Sequence, residues 1–345
     1  MIIRICAFSS KGLETADKIK GLLKEHIVEL REKSESLDIF VAASFYKRSP
    51  LIFVSACGIA VRAIAPFVND KLYDSPVLVV DELGENVISL LSGHAGGANE
   101  LALTVADRLG AHPVITTATD INGLFAADVF AVKNGLKIVN RKGIVKVSSA
   151  VLEKGAIAVA VNPKIDISDK DTPAEIKLIP FSSADKADMV ITCDDCREKK
   201  QEDSKLYLVP KELTVGVGCK KDTDEAEIRK AVDESLALLE GEWGWDDIRA
   251  MASIDLKARE YGLVAVAQKN KIPLLTYSSE ELQRVKGEFS ESEFVKEMTG
   301  VSNVCERAAM LSAGEGAELL LNKTLYEGIT VAIAKRKAKI EKWKN

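Results

Sequence analysis

The stretch VISLLSGHAGGANELALTVADRLGAHPVITT, Val87 to Thr117, decides the fold. An apolar run ends in a cluster of Gly93, Gly96 and Gly97, an amphipathic segment over Gly97 to Leu109 follows, and a second apolar run begins at His112. Strand, tight turn, helix and strand in that order make one unit of a sheet covered by helices. Three glycines so close together do not fill a core; they allow backbone conformations that other residues avoid and let a ligand approach the chain. His94, one of only three histidines, stands between the strand and Gly96. That is where an open α/β sheet exposes its ligand crevice, at the carboxyl ends of its strands.

The same alternation extends in both directions. Upstream, MIIRICAF, IFVSACG and PVLVVDE read as strands, with a helix over Thr15 to Leu30, and DELGEN reads as the turn of a hairpin. The segment from Leu136 to Pro210 is less regular, turn-rich and polar, and closes on REKKQEDSK, a charged run that reads as a solvated linker. Beyond it, LTVGVGC is a strand, and DEAEIRKAVDESLALLEG is a periodic helix that Thr223 or Asp224 is placed to cap. MASIDLK, IPLLTYS, AELLLNK and ITVAIAK supply further strands, with helices near Ala258 to Lys269, Ser279 to Val285 and Val304 to Ser312. The predicted fold class is α/β and multidomain, with mainly parallel sheets flanked by helices. Its divisions are an N-terminal domain over 1–135, a smaller middle domain and linker over 136–210, and a C-terminal α/β domain with a basic tail over 211–345.

Composition narrows the function classes. With 345 residues and 47% hydrophobic content the chain has material for real cores. A net charge of -5 argues against a dedicated nucleic-acid binder, and no apolar run approaches the roughly 18 residues of a membrane span. The first residues lack the apolar stretch and cleavage site of a secretory signal, so a cytoplasmic location is expected. Cys6, Cys57, Cys193, Cys196, Cys219 and Cys305 are then expected to be free thiols. The CDDC pair at Cys193 and Cys196 has the spacing of a zinc or redox site but lacks a second pair or a nearby histidine, so no resident metal is expected.

Several candidate sites stay open on the residues alone. GVGCKK has Gly216 and Gly218 but Lys221 where a dinucleotide fingerprint needs glycine, and it is no phosphate loop. It reads either as a tight turn with two solvated lysines or as an anion site of free amides reinforced by Lys220 and Lys221. His94 either makes hydrogen bonds within its turn or accepts a proton near neutral pH, with the amides of Gly96 and Gly97 meeting an oxyanion. Thr117 and Asp120, just after an apolar strand, are either turn and cap residues or partners of that histidine. No serine stands in a nucleophile elbow, which excludes an ordinary serine hydrolase.

The whole stretch from Leu90 to Ala131 closely resembles the signature of the CbiG family of anaerobic cobalamin biosynthesis, the cobalt-precorrin-5A hydrolases. The resemblance continues through ACGIAVRAIAP, GVGCKKDTDEAEIRKAV, SIDLKAREYGLVAVAQ and VSNVCERAAMLSAG, and is weakest in the middle block. It implies water opening the δ-lactone of a cobalt-containing tetrapyrrole and loss of a two-carbon fragment as acetaldehyde. The cobalt belongs to the substrate, so no cofactor is expected. The expected catalytic set is His94 as base, Gly96 and Gly97 as oxyanion donors, Thr117 or Asp120 as orienting groups, and Glu306. The expected substrate contacts are Gly58, Arg62, Ser92, Asn99, Gly216, Gly218, Lys220, Lys221 and Lys257, the basic residues meeting the carboxylates of the macrocycle's rim. Lys257 and Glu306 lie in the C-terminal motifs and either bind or join the chemistry. The C-terminal block also resembles a small stand-alone protein of the aerobic pathway, which implies tetrapyrrole binding there. A non-catalytic carrier that passes an unstable intermediate between neighbouring pathway enzymes is the alternative, and acetaldehyde release separates the two.

Overall fold

The computed structural model describes residues 1–70, 73–94, 96–117, 123–169, 171–194, 196–201 and 204–343. The chain divides into two compact units, Met1–Ile121 with Arg259–Lys271, and Asn122–Ala258 with Ile272–Asn345. Among the described residues no helix is long and apolar enough to cross a membrane.

The first unit runs β1 (Ile2–Ala7), α1 (Ser10–Leu22), β2 (Ile27–Leu30), α2 (Leu37–Lys47), β3 (Leu51–Val54), α3 (Cys57–Ile64), β4 (Val77–Val80), β5 (Asn86–Leu91), α4 (Ala98–Leu109) and β6 (His112–Val114). Its six strands lie in the order β2-β1-β3-β4-β5-β6. The two-residue period of a strand sorts its side chains to opposite faces. Ile52 and Val54 pack with Ile19, Leu101 and Val105, on the side of α1 and α4, while Leu51 and Phe53 pack with Phe40, Val41 and Ile64, on the side of α2 and α3. The helix expected over Thr15 to Leu30 stops at Leu22. IVEL, rich in β-branched residues, is instead strand β2, with Ile27 opposite Ile2 and Leu30 opposite Ile5. Edge pairing to β1 overrides the helical period there.

All neighbouring strands in this sheet are parallel except β4 and β5, which form the hairpin read from DELGEN. The Asp81 carboxylate accepts the N–H groups of Leu83 at 2.9 Å, Glu85 at 3.2 Å and Asn86 at 2.6 Å, and Gly84 takes the left-handed φ of 70°. A helix from far along the chain, Tyr261–Lys269, packs on this unit against β1 and α2. Its Gln268 accepts from the Ile2 N–H at 2.8 Å and donates to Ser49 Oγ at 2.9 Å, so one side-chain amide joins the starts of β1 and β3.

The second unit begins α5 (Ala127–Asn134), β7 (Leu136–Ile138), α6 (Arg141–Lys154), β8 (Ile157–Val161), β9 (Asp166–Ile167), β10 (Ile176–Ile179), β11 (Met189–Ile191) and β12 (Leu206–Pro210). Here the sheet order is β10-β8-β11-β12-β7, with only β7 antiparallel to its neighbour. REKKQEDSK contains a 3-10 turn over Arg197–Gln201. The chain continues through β13 (Leu213–Cys219), α7 (Glu225–Ala237) and β14 (Ile248–Ile254), then the helix of the first unit, α8 (Tyr261–Lys269). It returns as β15 (Leu274–Tyr277), α9 (Ser279–Gln283), α10 (Glu293–Thr299), α11 (Cys305–Ala313), β16 (Glu318–Tyr326), β17 (Ile329–Lys335) and β18 (Lys339–Ile340). These strands form a second sheet, β15-β14-β13-β17-β16, and a two-stranded pair, β18-β9.

The basic C-terminal segment is not a solvated tail. Lys339 and Ile340 pair with Asp166 and Ile167, Asn134 Oδ1 accepts from the Glu341 N–H at 2.8 Å, and Trp343 is wholly buried, stacked on Phe130 at 5.1 Å between ring centroids. Apolar residues interleaved with the charges, Ala338, Ile340 and Trp343, carry the segment inward while the lysine heads stay outside.

Burial alone would push the Asp81 carboxyl up, but the hydrogen bonds from Glu85, Asn86 and Leu83 outweigh it and hold the group below its ordinary value. A carboxyl lowered in the folded state stabilises above its unfolded value and loses that contribution as pH falls through the folded one. Asp81→Asn therefore flattens the acid limb of a plot of thermal stability against pH. Trp343→Ala removes a buried aromatic and costs about 3–5 kcal/mol in urea denaturation.

Candidate active site

At the end of β5 the chain turns within six residues. Ser92 adopts φ 56° and its Oγ donates to the Asp74 carbonyl at 3.1 Å; Gly97 adopts φ 85° and leads into α4. The Gly97 N–H donates to the His94 carbonyl at 2.8 Å, Ala98 N–H to Ser92 at 3.1 Å and Asn99 N–H to Gly93 at 3.0 Å. A Cβ on Gly96 would run into the Ser92 side chain and carbonyl, and one on Gly93 into the Asn99 amide. Close approach therefore explains Gly93 and Gly96, and a left-handed conformation explains Gly97.

Asn99 holds the site together. It is buried, its Oδ1 accepts from Ser89 Oγ at 2.6 Å and its Nδ2 donates to Thr117 Oγ1 at 3.1 Å. The side chain thus links β5, the first turn of α4 and the residues after β6. His94 is half-buried in the same turn. Ser92, His94, Gly96, Gly97, Asn99 and Thr117 are brought together; Asp120 lies outside the described residues. The Gly97 amide closes the turn on the His94 carbonyl, which takes it out of the expected pair of oxyanion donors.

Gly58 and Arg62 lie elsewhere on the same sheet. They belong to α3, which follows the carboxyl end of β3, and the Arg62 guanidinium extends over Gly58. Since β5 is antiparallel to β4, with Leu91 opposite Val77 and Val87 opposite Val80, the turn after β5 sits at the edge where β3 and β4 begin. The two groups of residues occupy opposite edges of one sheet, which a reading of every strand as parallel does not predict.

The remaining candidates are in the second unit. Gly216 and Gly218 lie inside β13, between β14 and β17, opposite Ala332 and Thr330. A Cβ on Gly216 would strike the Cys305 carbonyl at the start of α11, and one on Gly218 would press on Thr330 Oγ1. Their amides are those of a strand and not of a helix start, which corrects the expected turn of free helix amides. The Lys220 N–H continues the ladder to the Gly328 carbonyl at 3.1 Å, and α7 begins only at Glu225, capped by Asp224, which accepts from Ala226 at 2.7 Å. Lys221 is exposed, and Lys257 ends a 3-10 turn after β14.

Glu306 is only 2% exposed. Its carboxylate accepts from the Ser290 N–H and Oγ at 3.0 Å each, from Asn303 Nδ2 at 2.6 Å and from the Lys323 N–H at 2.6 Å. The last donor stands where the register of β16 shifts, between Leu321 and Thr324. One buried carboxylate thus collects donors from three separate segments. Next to it, burial pushes the Cys305 thiol up to about 11, so it is protonated at neutral pH. Burial first, then Glu212 and Asp194, also raise Cys193. Among the described residues no group of three or more His, Cys, Asp or Glu side chains is placed to hold a metal.

Two family models match the chain: cobalamin synthesis G N-terminal over residues 40–120, and cobalamin synthesis G C-terminus over residues 213–334. A Priestia megaterium protein named cobalt-precorrin-5A hydrolase is 36% identical over 356 residues, spanning 95% of this chain and 94% of its own. The chain belongs to the cobalamin synthesis G family. A cobalt-precorrin-5A hydrolase of Salmonella typhimurium strain LT2 is 35% identical over 307 residues, covering 84% of this chain and 83% of its own. Protein CobE of Sinorhizobium sp. is 31% identical over 123 residues, which are 35% of this chain and 79% of that protein. The family's two models cover the turn after β5, the sheet holding Gly216 and the helix of Glu306, and neither reaches the middle sheet.

Replacing Glu306 by glutamine turns a four-fold acceptor into an amide whose own N–H groups face donors. Glu306→Gln is expected to lose about 1–3 kcal/mol in urea denaturation. Faster hydrogen exchange at Ser290 and Lys323 marks the same loss.

Proposed function

We propose that this chain is a cytoplasmic enzyme that opens the δ-lactone of cobalt-precorrin-5A with water and releases acetaldehyde, giving cobalt-precorrin-5B in anaerobic cobalamin biosynthesis. The observation that carries the reading is end-to-end similarity to a protein named cobalt-precorrin-5A hydrolase, at 36% identity over 95% of the chain. The turn between β5 and α4 offers the groups that such a reaction requires.

Lactone attack needs a base beside water and a donor for the tetrahedral oxyanion. His94 takes the proton of the attacking water, and the Gly96 N–H meets the oxyanion. Thr117, set by Asn99, orients the water. When the ring C–O bond breaks, the imidazolium returns its proton to the departing alkoxide, leaving a carboxyl and a hydroxyl. The same imidazole then removes the hydroxyl proton. The electron pair of the cleaved carbon–carbon bond passes to the macrocycle, which takes up a proton, and acetaldehyde departs. Cobalt enters as part of the substrate, and the chain supplies no metal or cofactor of its own. Glu306 acts as an internal anchor, since its carboxylate is buried and accepts from Ser290, Asn303 and Lys323.

Anaerobic incubation of the full chain with cobalt-precorrin-5A, followed by an acetaldehyde assay, tests the reading. Wild type is expected to release acetaldehyde and folded His94→Ala to be slower by about 10²–10⁴-fold, the worth of a positioned general base. Release at the same rate by both would remove His94 from the role of base. No release by wild type would remove the reaction.

A further inference from the structure

In the second unit the start of β14 carries an extra residue. Leu213 of β13 lies opposite Ile248 and the next residue, Thr214, opposite Ala250, so Arg249 has no partner of its own in the parallel pair. A bulge of this kind bends a strand and re-aims the side chain it carries, and bulges gather beside functional sites. Here the Arg249 stem crosses Gly135, where a Cβ would strike it, and Nη2 of its guanidinium reaches the Lys133 carbonyl at a long 3.4 Å. Gly135 has the left-handed φ of 61°, and its carbonyl accepts the Lys211 N–H at 2.9 Å. Lys211 is the first residue after β12. An arginine from the C-terminal sheet and a lysine leaving the middle sheet thus converge on one glycine.

Both side chains are half-buried. The Arg249 Nε is buried with no hydrogen-bond acceptor. Among the described residues Lys211 Nζ has no acceptor, and neither side chain makes an ion pair. Burial lowers each below its ordinary value, and neighbouring cations lower it further: Arg249 and Lys137 act on Lys211, and Arg336 on Arg249. Asp246 and Asp247 pull Lys211 back up only in part, as Glu341 does Arg249. Most of the acids in reach are committed. Asp247 is held by Lys137 at 3.3 Å, Glu341 by Arg336 at 3.0 Å, and Glu212, next to Lys211, by Lys335 at 3.2 Å. Asp246 is exposed, where water screens it. Half-burying two like charges without a counter-charge is unfavourable. Ionisable groups held in that condition concentrate at binding sites.

We infer that Lys211 and Arg249 form a binding site for one oxyanion, a carboxylate or phosphate group held between the ammonium and the guanidinium. Arginine presents a planar fork of N–H donors to such a group, and lysine adds a point charge. Neither residue stands in a glycine motif, and the anion site expected further along the chain, at Lys220 and Lys221, has no helix amides to support it. The pair lies in the unit without His94, so the inference stands whether or not the proposed reaction does. Two sources carry the group: the rim of a carboxylated tetrapyrrole, and free phosphate.

The test reads the reactivity of the Lys211 amine in the full chain, by mass spectrometry after brief labelling with acetic anhydride near neutral pH. Only the uncharged amine reacts, and an anion beside it favours the charged form, so a bound oxyanion slows labelling. Inorganic phosphate and uroporphyrin, a planar tetrapyrrole octacarboxylate, are titrated separately in place of chloride at constant ionic strength. At saturation, labelling of Lys211 is expected to fall about tenfold, while exposed Lys221 keeps its rate. Protection by phosphate identifies free phosphate as a ligand, and protection by uroporphyrin alone identifies a rim carboxylate; either result supports the site. Arg249→Met keeps the stem over Gly135 and removes the guanidinium, and is expected to need about tenfold more anion for the same protection. Lys230→Gln, on the exposed side of α7, needs no more. An unchanged labelling rate of wild-type Lys211 with both anions overturns the assignment. So does equal slowing of Lys221, or equal protection in wild type and folded Arg249→Met.

Discussion

The reversal at Asp81 sets where everything else in the first unit can be. Three backbone N–H groups converge on one carboxylate, the chain doubles back, and β5 runs against β4. Strand β6 then follows β5 in parallel through α4, so the carboxyl ends of β5 and β6 meet the amino ends of β3 and β4. Without that reversal the His94 turn would share an edge with Arg62 and α3. With it, the turn shares an edge with Arg48, Tyr73 and Asp74. A hairpin turn of five residues thus chooses the neighbours of a site formed one strand later.

Buried polar groups do the fine placement. Asn99 ties β5, the first turn of α4 and the residues after β6 with two hydrogen bonds of its side chain, and its amide occupies the space that the missing Cβ of Gly93 leaves. Glu306 does the same in the second unit with four donors. Each net hydrogen bond is worth only about 1 kcal/mol, but a donor left unmade in such a place costs more. Both residues therefore specify one loop arrangement more than they add overall stability. Gly216 works by the opposite device, since the absence of a side chain lets α11 sit directly on β13.

Much of the architecture was legible because period and punctuation are local. The alternation of strands and helices, the turn at DELGEN, the helix from Ala98 and the capping by Asp224 follow from side chains a few residues apart. The reading failed where partners are distant. IVEL looks helical beside α1 and is a strand because β1 pairs with it. The basic end reads as a tail and is held because Trp343 finds Phe130 more than two hundred residues earlier.

The sequence by itself determined the α/β class, the glycine-rich turn after β5 and which ionisable and hydroxyl residues stand near it. Helical and strand periods, glycine conformations and ionisable side chains are properties of short stretches of chain. Only the tertiary structure decided which of those residues meet. It joined Asn99 to Thr117, committed the Gly97 amide to His94, closed Glu306 inside the fold and put Arg62 on the far edge. Strand direction and long-range pairing settle such matters, and neither is encoded in any one segment: each depends on which distant surface a segment buries against.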